Sequence, residues 1–521
     1  STAQLLYVPP RRLLSSRRVS SPLPPPTDLP AVFLRQVSSA LPGSSISENP
    51  YDLRRVCTGE SHVPSPHLPA AILRPRNTDD VVAIVKLCQE HNVAVVPFGG
   101  GTSLEGHVAA ADGRRPTVCL DTALMGSIDF TGSGDGGRSD NFYADRMAAS
   151  GDGCHALSAP GVVGTRPAPS ATALPDMDAT IGPAVTRPGL NTSLRHAGLA
   201  FMVDPGSPDA TIAGMVACGA SGTSAVKYGT IRDNVLAASL VLPDGSIANV
   251  GCRSIKNSAG YDLRGLMVGS EGTLGVITSV TVRLHPVPGF TVAVVADFKE
   301  LRHAADAVQE IVAVCRGALA RCELLDAGSV RAFNAYNANS GAVDALPERP
   351  HLFLEFDGHS EAAVSPHVNA ASEALRGCGC RDLRVASADA ERAALWSARH
   401  SLYYAALAIR GPDAAGFVTD ACVPLAALPD AIVETARDVE ELGIVGPCFG
   451  HAGDGNFHCI MPLLENDTEE YLGAVREVND RLVRRTVAAG GSCTGEHGVG
   501  LGKVKYLRGQ YGRGACWMME A

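Results

Sequence analysis

The chain has no apolar run long enough to cross a bilayer. Segments such as Val93 to Phe98 are among its longest, whereas a spanning helix needs about twenty apolar residues. It has no basic excess either: 44 Lys and Arg against 54 Asp and Glu leave a net charge of −10, which argues against a nucleic-acid surface. Its 15 cysteines lack the order of a disulfide framework, since the number is odd and Cys378 and Cys380 form the only close pair. That pair lacks the two-residue gap usual in zinc and redox motifs. The cysteines read as reduced thiols packed like small hydrophobes, which fits a reducing compartment. No His-Glu-x-x-His occurs, so a zinc hydrolase of that kind is excluded, and no iron–sulfur pattern is evident. What remains is a soluble, enzyme-like composition, 45% hydrophobic and 19% charged, in a chain long enough for more than one domain.

The first 45 residues differ from the rest. Arg11, Arg12, Arg17, Arg18 and Arg35 lie among Ser, Leu and Pro, and Asp28 is the sole acid before Glu48. That is the composition of a mitochondrial transit peptide, which takes no part in the fold; the alternative is a plain disordered tail. The chain opens on Ser1 rather than Met, consistent with a start further upstream. Folded sequence is expected from near Asn49. Asn77, Asp79 and Asp80 read as a helix start, and Val93 to Pro97 as a short buried strand. Residues 131–174, rich in Gly, Ala, Ser and Pro without periodicity, read as a disordered insertion. From Leu199 to Leu284 glycines punctuate short apolar runs, as walls around a large flat ligand require, or as ordinary turns. Beyond Pro286-Val287-Pro288-Gly289, strand-like runs (292–296, 351–356) alternate with Ala-rich helical ones (301–315, 361–375), an α+β pattern.

Chemistry concentrates in two regions. Directly after the 93–97 strand come Phe98, Gly99, Gly100, Gly101, Thr102, Ser103, Leu104, Glu105, Gly106 and His107. Without β-carbons such a backbone can aim successive N–H groups at an anion, a phosphate-cradle pattern. It is not a dinucleotide fingerprint, because Leu104 stands where the third glycine belongs, nor a triphosphate loop, because His107 replaces the lysine. Near the C-terminal end, Gly450 to His458 and Thr494 to Gly498 supply three ligands for a divalent metal and a spare histidine. A hairpin closed through Gly453-Asp454-Gly455-Asn456 would set His451 and His458 on facing positions, with β-carbons roughly 5 Å apart. Glu496 would complete a two-histidine, one-carboxylate set with coordination positions open for a substrate. The set leaves manganese, zinc and iron open.

Leu73 to Pro286, apart from the insertion, resembles the flavin-binding domain of the FAD-linked oxidases with the vanillyl-alcohol oxidase fold. Pro97 to His107, Lys227 to Leu236, Ser258 to Leu263, Gly450 to His458 and Cys493 to Lys503 resemble the D-2-hydroxyacid dehydrogenase branch of that family. The resemblance covers most of the chain. It implies an α+β fold with a two-part FAD-binding domain (46–286), an α+β substrate and metal domain with an antiparallel sheet (287–491), and a C-terminal segment (492–521) returning to the FAD domain. It implies that Pro97, Gly99, Gly100, Gly101, Thr102, Ser103 and Gly106 hold the FAD pyrophosphate. By the same resemblance Pro205, Gly206, Gly214, Ser221, Gly222 and Tyr228 line the flavin, and Glu271, Gly275 and Ile277 lie near the adenosine half. Arg399 would bind the substrate carboxylate through its planar fork. A 2-hydroxy acid would chelate the metal on His451, His458 and Glu496, and His497 would take the hydroxyl proton. Hydride would pass from Cα to flavin N5, and electrons would leave to an external acceptor such as cytochrome c.

Where the D-2-hydroxyglutarate branch has a threonine and a lysine, this chain has Tyr403 and Val418. Without that lysine a dicarboxylate would bury an unpaired charge, so D-lactate is the expected substrate and glycolate the alternative. The chain stops at Ala521 without the Asn-Pro-Gly-Lys segment that closes the flavin site in the family; either the sequence is a fragment or that wall is absent. A flavin-binding subunit without turnover is the non-enzymatic alternative. The presence of Arg399, His451, His458, Glu496 and His497 speaks against it.

Overall fold

The computed structural model describes residues 28–41, 45–111, 113–130, 174–315, 317–338 and 345–520. Residues 131–173 of the insertion expected at 131–174, and the first 27 residues of the expected leader, lie outside the described residues; Leu174, at the insertion's expected end, is instead buried in the core.

Three larger sheets and one two-stranded sheet organise the described residues. The first contains β1 (Ile46–Ser47), β2 (Ala71–Leu73), β3 (Ala94–Phe98) and β4 (Thr117–Asp121) in the order β1-β2-β4-β3, with β2, β4 and β3 parallel. The helix Thr78–Glu90 makes the crossover from β2 to β3. The Asn77 side chain caps it by accepting the Asp80 N–H, and Val81, Ile84, Val85 and Cys88 pack its apolar face onto the sheet. The glycine loop therefore starts at the carboxyl end of a parallel strand, where the crossover leaves room for a ligand. One expectation fails here. Residues 31–40 form a helix, and Phe33, Val37 and Leu41 pack into the core of Leu73 and Val81. Their spacing of four puts them on one helix face, so this part of the Arg-rich region belongs to the fold.

The second sheet contains β5 (Ile128–Asp129), β6 (Asp178–Ile181), β8 (Val235–Val241), β9 (Ile247–Gly251) and β10 (Val276–Arg283), in the order β5-β6-β10-β8-β9. Beside it β7 (Leu199–Ala200) pairs with β11 (His285–Pro286). The third sheet joins β12 (Phe290–Phe298), β13 (Leu319–Leu325), β14 (His351–Gly358), β15 (Cys380–Ala386), β16 (Ala415–Val418), β17 (Ala421–Cys422), β18 (Cys448–Gly450) and β19 (Asn456–Leu463). Its order is β15-β12-β14-β13-β18-β19-β16, with β17 also on β19, and its pairings are antiparallel. The helices Leu301–Cys315 and Glu361–Gly377 pack into one core against it. Leu395, Trp396, Leu402 and Ala405, from the helices Asp389–His400 and Leu402–Ala408, pack into another. The architecture is α+β. Among the described residues no helix is long and apolar enough to cross a membrane.

Candidate active site

A cavity of about 320 Å³ runs from the glycine loop to the C-terminal histidines. Pro97, Gly99, Gly100, Gly101, Thr102, Ser103, Pro205, Gly206, Gly214 and Glu271 line its first part, and Arg399, Tyr403, Val418, His451, His458, Glu496 and His497 its other end.

The glycine loop fits a phosphate-bearing ligand. The N–H groups of Gly100, Gly101, Thr102 and Ser103 donate to no described residue, and the buried Ser103 hydroxyl has no partner among them. A buried hydroxyl left unpaired is costly, and a pyrophosphate in the cavity would satisfy it together with these N–H groups. At Gly99 a β-carbon would come within 2.6 Å of Thr211 Oγ1, so only glycine fits. At Gly206 nothing lies within 4 Å of that position, which leaves the cavity open there.

The remaining residues of that set lie elsewhere. Ser221, Gly222 and Tyr228 do not line the cavity. A β-carbon on Gly222 would strike Asp204, and Tyr228, at the end of the short helix Ala225–Tyr228, donates to Asp357 of β14 at 2.9 Å. Gly106 and Gly275 are packed against Val63 and Val241, and Ile277 is a core residue of β10. Glu271 does reach the cavity, but its carboxylate accepts from the N–H groups of Val499 (2.6 Å) and Gly500 (2.8 Å) and pairs with His107.

At the other end His451 Nε2 and His458 Nε2 lie 3.1 and 3.2 Å from Glu496 Oε1. The hairpin expectation needs correcting. In the ladder His458 faces Phe449, not His451; His451 instead precedes a 3-10 turn at Ala452–Asp454, because Gly455 takes a left-handed conformation (φ 76°) and lengthens the turn. The two rings still converge, with centroids 5.5 Å apart. His451 Nδ1 lies 2.7 Å from Glu323 Oε1, and His458 Nδ1 lies 3.0 Å from the Thr419 carbonyl. Each contact is satisfied by an N–H on Nδ1, so in a neutral ring each Nε2 turns a lone pair toward the carboxylate. A bound cation relieves that opposition, as a second ring proton does without one: against the effect of burial, Glu323 and Glu496 push the His451 imidazole well up. Glu496 Oε2, buried without a described partner, supports the same reading, so the donor set fits a divalent metal. Asp420, His458 and His497 form a second cluster of ligand atoms. Asp420 is taken up by other donors: Oδ2 accepts from the Thr494 hydroxyl (2.7 Å) and the N–H groups of Gly495, Glu496 and His497 (2.8, 2.9 and 2.9 Å).

Those contacts hold a strap, residues 494–503, across the site. Asp420, in the link between β16 and β17, grips its start. Glu271 grips its middle, and the Glu105 carbonyl accepts from Leu501 and Gly502. The strap brings Glu496 and His497 to the cavity. His497 stacks on His458 (4.9 Å, 12°), and burial pushes its imidazole down to about 4 against the pull of Asp420, so it is a neutral base at physiological pH. Arg399 is buried, pairs with Glu323 and lies over the Phe449 ring (5.0 Å). Burial works against the Glu323 charge, but Arg399 and His451 hold its carboxyl down at about 2.

The matched family models are an FAD binding domain over residues 69–133 and 172–251 and the C-terminal domain of FAD linked oxidases over 287–521. A probable mitochondrial D-lactate dehydrogenase of Danio rerio is 40% identical over 455 residues, 87% of this chain and 81% of the relative. This chain is an FAD-linked oxidase. A second member of the family, the mitochondrial D-lactate dehydrogenase (cytochrome) 1 of Saccharomyces cerevisiae, is 33% identical over 88% of this chain and 71% of its own. A glycolate oxidase subunit of Escherichia coli is 28% identical over 85% of this oxidase and 78% of its own length. The structure of p-cresol methylhydroxylase with substrate bound matches with a TM-score of 0.68 at 13% identity, covering 95% of both chains. That of alkyldihydroxyacetonephosphate synthase gives 0.66 at 19%, covering 92% and 83%. At such identities the likeness is one of fold, the vanillyl-alcohol oxidase type.

Sequence reasoning about this oxidase missed Glu323 and Asp420. Both are acids amid apolar or small residues in strand-like stretches (Cys322-Glu323-Leu324, Asp420-Ala421-Cys422), and a lone acid in a buried strand is the signal that could have found them.

Proposed function

We propose that this chain oxidises D-lactate to pyruvate in the mitochondrion and passes electrons to an acceptor such as cytochrome c. The observation that carries the reading is one cavity bordered by the glycine loop, a two-histidine, one-carboxylate set and Arg399. The mitochondrial D-lactate dehydrogenases among its relatives support it. Pro97, Gly99 to Ser103, Pro205, Gly206 and Gly214 would hold FAD; His451, His458 and Glu496 would hold the metal. When bound, FAD supplies an acceptor for hydride and the metal supplies positive charge beside the substrate hydroxyl. Arg399 clamps the carboxylate with parallel N–H donors and orients Cα. His497, neutral and stacked on His458, takes the hydroxyl proton. Tyr403, Val418, Phe449 and Ile460 wall the cavity there and keep water out. Val418 offers no charge to a second carboxylate.

The test is the visible absorbance of the bound flavin under anaerobic conditions. Bleaching by D-lactate but not L-lactate is expected. Bleaching by glycolate alone would replace the substrate, in line with the glycolate oxidase relative. Bleaching by neither would leave a flavin-binding subunit without turnover.

A further inference from the structure

Glu323 lies in the middle of β13, between Cys322 and Leu324, with no exposed surface. An ionised carboxylate there is costly unless both oxygens are paired. The pairing is divided between two parts of the site: Oε1 accepts from His451 Nδ1 at 2.7 Å and Oε2 from Arg399 Nη2. We propose that Glu323 is the positioning residue that sets both grips on the substrate, fixing through His451 the nitrogen that holds the metal and through Arg399 the fork that holds the carboxylate. The inference rests on the function proposed above.

The chemistry of the acceptor makes this specific. A carboxylate accepts on both oxygens, so it serves two N–H donors at once. It keeps a proton of His451 on Nδ1, so that Nε2, 3.1 Å from Glu496 Oε1, is the nitrogen left to face a metal. It also ties Arg399 through Nη2, while Arg399 Nε is buried without a described partner and remains available to a ligand oxygen. An amide in the same volume cannot do both. With its oxygen on Arg399, its NH2 group forces His451 into the Nε2–H tautomer, which cannot bind a metal through that nitrogen. With its oxygen on His451, its NH2 group meets the guanidinium donor to donor and displaces it.

The experiment compares wild type with Glu323→Gln in the full-length, FAD-loaded protein. It measures Mn2+ affinity without substrate, by competition with a chromophoric chelator, and then KM and kcat for D-lactate at saturating Mn2+. Glu323→Gln is expected to weaken Mn2+ binding by about tenfold or more and to raise KM by about tenfold or more, with kcat falling by a smaller factor. A merely structural role would lower stability or kcat while leaving Mn2+ affinity and KM as in wild type, and that result overturns the proposal. Should Glu323→Gln lose its flavin, Glu323→Asp takes its place. It keeps the charge but is one methylene too short to reach both partners, so about a tenfold loss in Mn2+ affinity or about a tenfold rise in KM is expected. Unchanged values in both overturn the proposal. A wild-type protein that binds neither Mn2+ nor D-lactate overturns the function as well, so the two failures are told apart by the wild type alone.

Discussion

Replacing Asp420 by asparagine removes one charge at constant volume and so isolates what this carboxylate does for the strap. Four donors converge on Oδ2, the Thr494 hydroxyl and the N–H groups of Gly495, Glu496 and His497, and Asn456 donates to Oδ1 at 2.8 Å. A hydrogen bond to a charged acceptor contributes about 1 kcal/mol more than one to a neutral acceptor. Four donors crowded on one oxygen do not each contribute in full, so the loss is about 2–4 kcal/mol. Turning the amide so that its oxygen faces the strap sets its NH2 against that of Asn456, and turning Asn456 in response gives up the bond to the Ala421 carbonyl (3.1 Å). Neither arrangement recovers the loss. Because the donors belong to one segment, the effect is local opening of the strap rather than global unfolding. Amide hydrogen exchange of a peptide spanning 494–498 in the FAD-loaded protein should accelerate by about 30-fold to about 700-fold, at 1.4 kcal/mol per tenfold. The strands β13 and β14 should be unchanged. Strap exchange within about threefold of wild type would refute the reasoning, since the contacts would then contribute less than about 0.7 kcal/mol.

Gly100→Ala should lower the FAD content of the purified protein by about tenfold or more, because its β-carbon meets the Asp209 carbonyl and shifts a loop that needs close backbone approach; full flavin occupancy measured by absorbance would contradict this. His458→Ala should reduce bound metal from about one equivalent to near zero by elemental analysis, with flavin retained; undiminished metal would remove His458 from the ligand set. Val418→Lys sets a cation in the cavity wall and should raise kcat/KM for D-2-hydroxyglutarate relative to D-lactate by about tenfold or more. A ratio that stays put would show that the cavity does not measure acid length at this wall.

Local pattern carried much of this protein. The Asn77 cap, the short strand before the glycine loop, half-buried rather than buried as expected, and the helical runs at 301–315 and 361–375 each follow from spacing within about a dozen residues, where propensity and periodicity act directly. The same applies to the ligand types: glycines of the kind a backbone needs to approach an anion, and two histidines with a carboxylate of the kind the proposed metal would require. The helix Ala31–Ala40 shows how composition misleads, since five arginines and many serines hid three apolar residues on one face. What pattern could not supply was the partner of each site residue. Glu323 reaches His451 across 128 residues and Arg399 across 76, and Asp420 reaches the strap across 74 to 77. A buried acid is stable only where the folded chain delivers its donors. The sequence alone therefore determined which groups were available, and only the tertiary structure decided which of them share a charge.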